Sequence, residues 1–225
     1  MMPSPVEIVG TLAWGTVVGL DLVSVPQGLL SRPLVAATVT GLLVGNITGG
    51  LMAGMVLELY ALDVLPIGAS RYPDYSVAAV AGGVAGALVT PTLAVGVAGL
   101  IGLPMAAVGG WTLQTLRRRN ALSVRRRLER VAAGDGRAIW ELQRNGMLRD
   151  ALRSFGLAVI GSGLAIVVTR VPWDEFANAR VLSWAVLAGG IAAALGGAVR
   201  SAGRGARRRW LAVGLATGTI VVLLR

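Results

Sequence analysis

The chain has 225 residues, 55% of them hydrophobic and only 14% charged, and its formal net charge of +10 rests on 21 basic residues, all arginine. This composition suits a bilayer and excludes an ordinary water-soluble domain, whose helices need a polar face that most of these segments lack. The absence of cysteine and histidine excludes disulfides, thiolate chemistry, a histidine proton shuttle and any phosphohistidine carried by this chain.

Six stretches approach the roughly 20 apolar residues of a membrane-spanning helix: 7–24, 33–62, 77–116, 154–171, 182–199 and 210–224. The first lacks the basic start and small-residue cleavage site of a signal peptide, and it is expected to be a retained span. Residues 33–65 are too long for one comfortable span and short for two, and "GNITGG" at 45–50 interrupts them. Glycines around an Asn and a Thr favour a turn. The pattern predicts two short segments meeting at a tip inside the membrane. Broken backbone at that depth survives only beside protein or a wet cavity, and paired short segments of this kind point to a transport site. In 77–116, Pro91 and Pro104 are predicted to break the run. Gly82, Gly86, Gly96 and Gly99 let backbones pack closely.

Residues 117–153 form the long polar stretch and carry eleven of the arginines, with five more between Arg200 and Arg209. Arginine-rich short loops stay in the cytoplasm, so the charge predicts orientation and contact with anionic lipid, and no nucleic acid is expected. Two short amphipathic helices are predicted here, broken at "GDG", with Asp135 capping the second. On this orientation 154–171 runs outward, "RVPWDEFANAR" is an external loop, 182–199 returns and 210–224 exits. Trp173, Trp184 and Trp210 fall at the interfaces, as aromatic anchors do. The chain then divides into a membrane region (1–116) with re-entrant segments, a basic cytoplasmic stretch (117–153) and C-terminal membrane helices (154–225), an all-α polytopic membrane protein.

Acids inside apolar segments are costly, so they mark function. Asp21, Glu58 and Asp63 qualify. Glu58 and Asp63 are five residues apart, about 140° around a continuous helix. Pro66 disfavours helix at Leu65, and a chain turning back there would let the two carboxylates converge. Beyond the break, "IGASRYPD" supplies Ser70, Arg71 and Asp74 on an irregular loop. Several carboxylates near one another suit a hydroxyl-rich ligand such as a sugar. Cation binding or a proton relay stays open on spacing alone, as does a local Arg71–Asp74 salt bridge.

The stretch "VPQGLLSRPLVAATVTGLLVGNITGGLMAGMVLELYALDVLPIGASRYPD" resembles the opening half of the membrane C subunit (enzyme IIC) of the mannose/sorbose family of the bacterial phosphotransferase system. The shared order is a Gln ahead of "RPL", a "TLxGLxLGD"-like element, "GxxLEL", then "IGA" followed by "PD". The likeness is strong over residues 20–80 and collinear afterwards through "GLPMAAVGGWTLQTL" and "LAGG". Asn46 stands where the family has Asp, Pro66 where it often has Asn, and Gln27 sits two residues further from the arginine. Asp63 has no clear counterpart. The resemblance implies a broken-helix IIC transporter fold in the bacterial inner membrane, and movement of a hexose-type sugar inward by an elevator-like displacement. A B domain, charged by an A domain, would phosphorylate the sugar, which fits a chain with no phosphoryl-transfer residue of its own. It implies a IID partner, trimers of C and D pairs, and neither cofactor nor metal. Gln27, Glu58 and Asp74, with Ser70 close by, match positions expected at the sugar, Asp63 is the compensating candidate, and Arg32 is expected to be structural. The alternatives are a degenerate member that docks partners without transporting, and an unrelated ion-coupled carrier.

Overall fold

The computed structural model describes residues 3–64, 71–175 and 179–201, together with isolated helical positions between 205 and 217. Ser70 and most of the expected segment 210–224 lie outside the described residues. The described secondary structure is helical: α1 (Pro5–Val23), α2 (Pro33–Leu43), α3 (Ile47–Ala61), α4 (Tyr75–Ala87), α5 (Pro91–Arg125), α6 (Leu128–Ala132), α7 (Gly136–Val168), a 3₁₀ turn (Trp173–Glu175) and α8 (Ala179–Ser201). Of these, α1, α5, α7 and α8 are long and apolar enough to cross a membrane. The other three apolar helices are short, about 16, 22 and 20 Å, against about 30 Å of hydrocarbon.

Local chemistry sets the helix ends. Ser4 and Glu7 form a reciprocal capping box at the start of α1, Ser4 N–H donating to Glu7 and Glu7 N–H to Ser4 Oγ. The predicted break in 33–65 is there, and its geometry explains the "GN". Gly45 takes φ +85° two residues past the end of α2, so that Asn46 N–H donates to Gly41 O (2.8 Å) and Gly45 N–H to Leu42 O (3.2 Å). This left-handed stop satisfies carbonyls that would otherwise end unpaired. Asn46 then caps α3 at once, its Oδ1 accepting from Gly49 N–H at 3.0 Å. Two helices reverse through three residues.

The hairpin closes because its facing residues are small. A Cβ on Gly50 would lie 2.5 Å from Ala37 O and 2.6 Å from Gly41 Cα, both backbone atoms. Substituting Gly50 with Ala is therefore expected to force α2 and α3 apart at a cost of about 1–3 kcal/mol, read as a lowered unfolding midpoint in detergent; an unchanged midpoint would count against this packing.

At the centre stands α4, whose "SVAAVAGGVAGA" is buried throughout. One cluster of buried residues joins α4 to α5 and α7 through Val77, Val97, Met105 and Leu157. A second joins α1, α2, α3 and α4 through Val18, Ala36, Val56 and Val80. A helix apolar on every side must be enclosed on every side, and short length is tolerable because it has no lipid-facing surface to match.

Two sequence expectations change here. Pro91 opens α5 at its first turn, but Pro104 lies inside the unbroken helix. The residues after Leu116 do not form independent short helices flanking the break: α5 continues to Arg125, and α7 runs unbroken from Gly136 through the apolar segment to Val168. At about 52 and 50 Å, both outrun the hydrocarbon and carry their arginines beyond it. Only α6 is short. The "GDG" break itself holds, with Gly134 at φ +76° and Asp135 Oδ1 capping α7 through Arg137 and Ala138 N–H. The Ala138 N–H and the Arg130 guanidinium hold the Asp135 carboxyl below its ordinary range.

Candidate functional site

The chain path gathers the polar loops at one end. The loop after α1, the mouth of the α2–α3 hairpin and the segment before α4 all lie there, beside the arginine-rich extensions of α5 and α7. The contacts that place them are Asp21 with Gly28 and Ser31, Glu58 with Arg32, and Asp74 with Arg153. The hairpin tip lies at the other end, where Asn46 Nδ2 donates to Ala87 O at 2.9 Å.

Asp21 is buried and accepts from Gly28 N–H (2.6 Å) and Ser31 N–H (2.7 Å). Backbone donors make its charge affordable in the apolar segment and fix the loop that carries Gln27. Gln27 is exposed, sits at φ +58°, a region that non-glycine residues seldom adopt, and donates from Nε2 to Val23 O at 2.8 Å. It lines a recess of about 510 Å³ with Ser24, Tyr72, Arg117 and Asn120. The Arg117 guanidinium covers the Tyr72 ring at 4.9 Å from its centroid. Of the described candidates from the sequence, Gln27 alone belongs to the walls of this recess.

Glu58 is on the last turns of α3. It pairs with Arg32, and its Oε2 accepts from Leu34 N–H at 3.1 Å. Arg32 makes no side-chain cap for α2, so a carboxylate from the neighbouring helix satisfies one of the free donors there and lies against the positive end of the helix. Asp63, in the turn after α3, pairs instead with Arg200 of α8, whose Nη2 also reaches Asp63 O at 3.0 Å. Glu58 and Asp63 thus do not meet at a common partner, because each is drawn to an arginine on a different helix.

Asp74 caps α4. Its Oδ1 accepts from Ser76 N–H at 3.0 Å and from the Ser76 hydroxyl, and its Oδ2 accepts from Arg153 Nη1 at 2.8 Å. Its ion pair is with Arg153 of α7 in place of Arg71. Asp150 completes the group, accepting from Arg153 Nε at 3.1 Å and from Ser24 Oγ at 2.6 Å. All three ionic side chains are more than nine-tenths buried. The cluster ties the end of α1, the start of α4 and α7 directly behind the recess. Sequence reading places Asp150 and Arg153 in a solvated stretch and misses this role. The available signal is their spacing of three residues just before the apolar run that starts at Ser154, the spacing of one helical face.

The departure at Asn46 has a physical meaning. Its amide both accepts at the cap of α3 and donates to the last turn of α4, which a carboxylate cannot do. Asn46→Asp is expected to lose about 1–3 kcal/mol by facing the Ala87 carbonyl with an acceptor, measured as thermal unfolding in detergent; equal stability would show that the tip does not depend on this donor.

The described helices define a multi-pass, all-α membrane protein in which a short central helix is enclosed by a broken hairpin and three membrane-length helices, α1, α5 and α7, while α8 packs outside them on α5 and α3. The sequence pattern of the sorbose-specific IIC component of the phosphotransferase system matches residues 6–204, and the chain belongs to this family. The sorbose-specific EIIC component of Klebsiella pneumoniae is 33% identical over 106 residues, 47% of this chain and 39% of that protein. The fructose permease IIC component of Bacillus subtilis is 27% identical over 150 residues, 67% of this chain and 55% of that protein. The chain thus spans about two fifths to just over half of the length of these relatives. In fold it is similar to a chain of the mannose transporter ManYZ in complex with microcin E492, with TM-score 0.58 and 20% identity over 97% of this chain and 88% of that one. A second solved membrane protein superposes with TM-score 0.65 and 17% identity over 99% of this chain and 96% of that one.

Proposed function

We propose that this chain is the sugar-translocating membrane subunit of a phosphotransferase complex, moving a hexose-type sugar inward for phosphorylation by a B domain charged from an A domain. The observation that carries the proposal is a broken hairpin, in a chain of this family, whose polar mouth opens at the same end of the helices as a recess holding Gln27. Relatives named for sorbose and fructose, and a fold neighbour named for mannose, favour a hexose. Gln27 and Glu58 are the proposed sugar contacts, with Asp63 and Ser70 contributing from the segment after α3. Asp74, locked by Arg153, acts by positioning that segment.

The neighbouring ManYZ complex favours a IID partner here, and the assembly of C and D pairs as trimers rests on the family resemblance alone. The hairpin and α4 would stay together in an elevator-like step, since their small-residue faces pack backbone against backbone, Gly49 on Gly86 and Gly83 on Ala37.

The test is uptake into vesicles holding this chain and its IID partner, with A and B domains and a phosphoryl donor inside and labelled sorbose, fructose or mannose outside. Sugar phosphate should accumulate in the lumen. Gradient-dependent accumulation of free sugar would replace the proposal with an ion-coupled carrier. Recruitment of the soluble domains without uptake of any hexose would replace it with a docking subunit.

A further inference from the structure

A groove of about 450 Å³ runs between α5 and α7 at the level where both helices change from apolar to cationic. Trp111, Leu116 and Leu152 form its apolar length, and Arg119 and Arg149 stand at its polar end. The spacing makes this one stripe per helix: Trp111, Thr115 and Arg119 follow at intervals of four on α5, and Arg149 and Leu152 at three on α7. Trp111 is 58% and Leu152 64% exposed, too much apolar surface to leave in water, while buried Leu116 lies between the two helices.

The neutral polar groups in the walls are already satisfied. The Thr112 hydroxyl donates to Gly109 O at 2.9 Å and the Thr115 hydroxyl to Trp111 O at 3.1 Å. Arg153 on the floor is paired with Asp74 through Nη1 and with Asp150 through Nε, and its buried Nη2 has no hydrogen-bond partner among the described residues. Arg119 is exposed, and Arg149 is held in place by Nη1 contacts to Asn120 Oδ1 (3.1 Å) and Ser123 Oγ (2.9 Å). A guanidinium anchored by neutral partners keeps its positive charge for a ligand and loses less side-chain freedom on binding one.

From this groove, apolar along the hydrocarbon and cationic where the hydrocarbon ends, we infer a site for one anionic phospholipid. The phosphate sits between Arg119 and Arg149 and an acyl chain lies along Trp111 and Leu152. A basic pocket between membrane helices at the boundary is the usual form of such recognition, and the inference does not depend on which sugar, if any, is moved.

The test reads the groove directly. In full-length chain with Trp111 as the sole tryptophan, reconstituted in phosphatidylcholine, brominated phosphatidylglycerol should quench Trp111 more strongly than brominated phosphatidylcholine. Arg119→Gln and Arg149→Gln should each weaken that preference about fivefold. Equal quenching by the two lipids, a preference unchanged in both variants, or no quenching by either would overturn the assignment, the last by showing the face covered by protein. Because replacing five of the six tryptophans risks the fold, native mass spectrometry of the unaltered chain gives an independent reading. Retained phosphatidylglycerol should survive delipidation in the parent chain and be lost in the double arginine variant. Retention unaffected by the double substitution would again sink the site.

Discussion

Arg153→Ala is expected to destabilise the protein by about 3–5 kcal/mol, the usual cost of leaving buried charge without its partner. The guanidinium is the shared counter-charge of Asp74 and Asp150, whose side chains are 0% and 1% exposed. After the substitution Asp74 keeps its bonds from Ser76, and Asp150 keeps the Ser24 hydroxyl. That places the expected loss nearer the lower bound. It should appear as a lowered unfolding midpoint and reduced folded yield in detergent. Replacing Asp74 and Asp150 with Asn in the Arg153→Ala background should recover part of the loss, because it removes the charges that the arginine served. A midpoint unchanged in Arg153→Ala would show that water reaches the cluster and that the start of α4 is held by packing alone.

Glu58→Gln separates the structural and functional uses of one carboxylate. The structural use is small: Arg32 is half exposed, so its ion pair is worth about 0–1 kcal/mol, and a Gln oxygen can still accept from Leu34 N–H. A charge-assisted bond from a sugar hydroxyl is worth more, about 1.5–3 kcal/mol, and its loss weakens binding roughly 10- to 150-fold. Uptake in vesicles should therefore fall to between about a fifth and about a hundredth of the parent's at sugar concentrations near half-saturation of the parent, with the unfolding midpoint nearly unchanged. Parent-like uptake would remove Glu58 from the sugar site without touching the family assignment. A collapse of the midpoint would mean that Glu58 serves chiefly to close the hairpin mouth.

These experiments divide the candidate residues by the kind of partner each has found. Gln27 borders open space, Glu58 and Asp63 each hold a partly exposed arginine, and Asp74 is sealed. None of that ranking is present in the order of residues along the chain. Carboxylates in apolar segments announce themselves by cost alone, and cost does not tell whether a sugar, a guanidinium or a row of backbone N–H groups will meet them. Asp21 shows the point. By composition it stands with Glu58 and Asp63, yet the folded chain spends its charge on Gly28 and Ser31.

What the sequence determined by itself was local or compositional. Apolar length gave the membrane class, and the run of motifs gave the family. "GNIT" dictated the reversal at Gly45 and Asn46, because a left-handed stop followed by a capping side chain needs only adjacent residues. "GDG" dictated the start of α7 for the same reason. The tertiary structure decided whatever depends on residues brought together from afar. It enclosed α4 on all sides, carried α5 and α7 past the hydrocarbon as continuous helices, and set Arg153 against an acid 79 residues away. Backbone conformation responds to near neighbours, whereas the energy of a buried charge is fixed by whichever groups the complete fold places within a few ångströms of it.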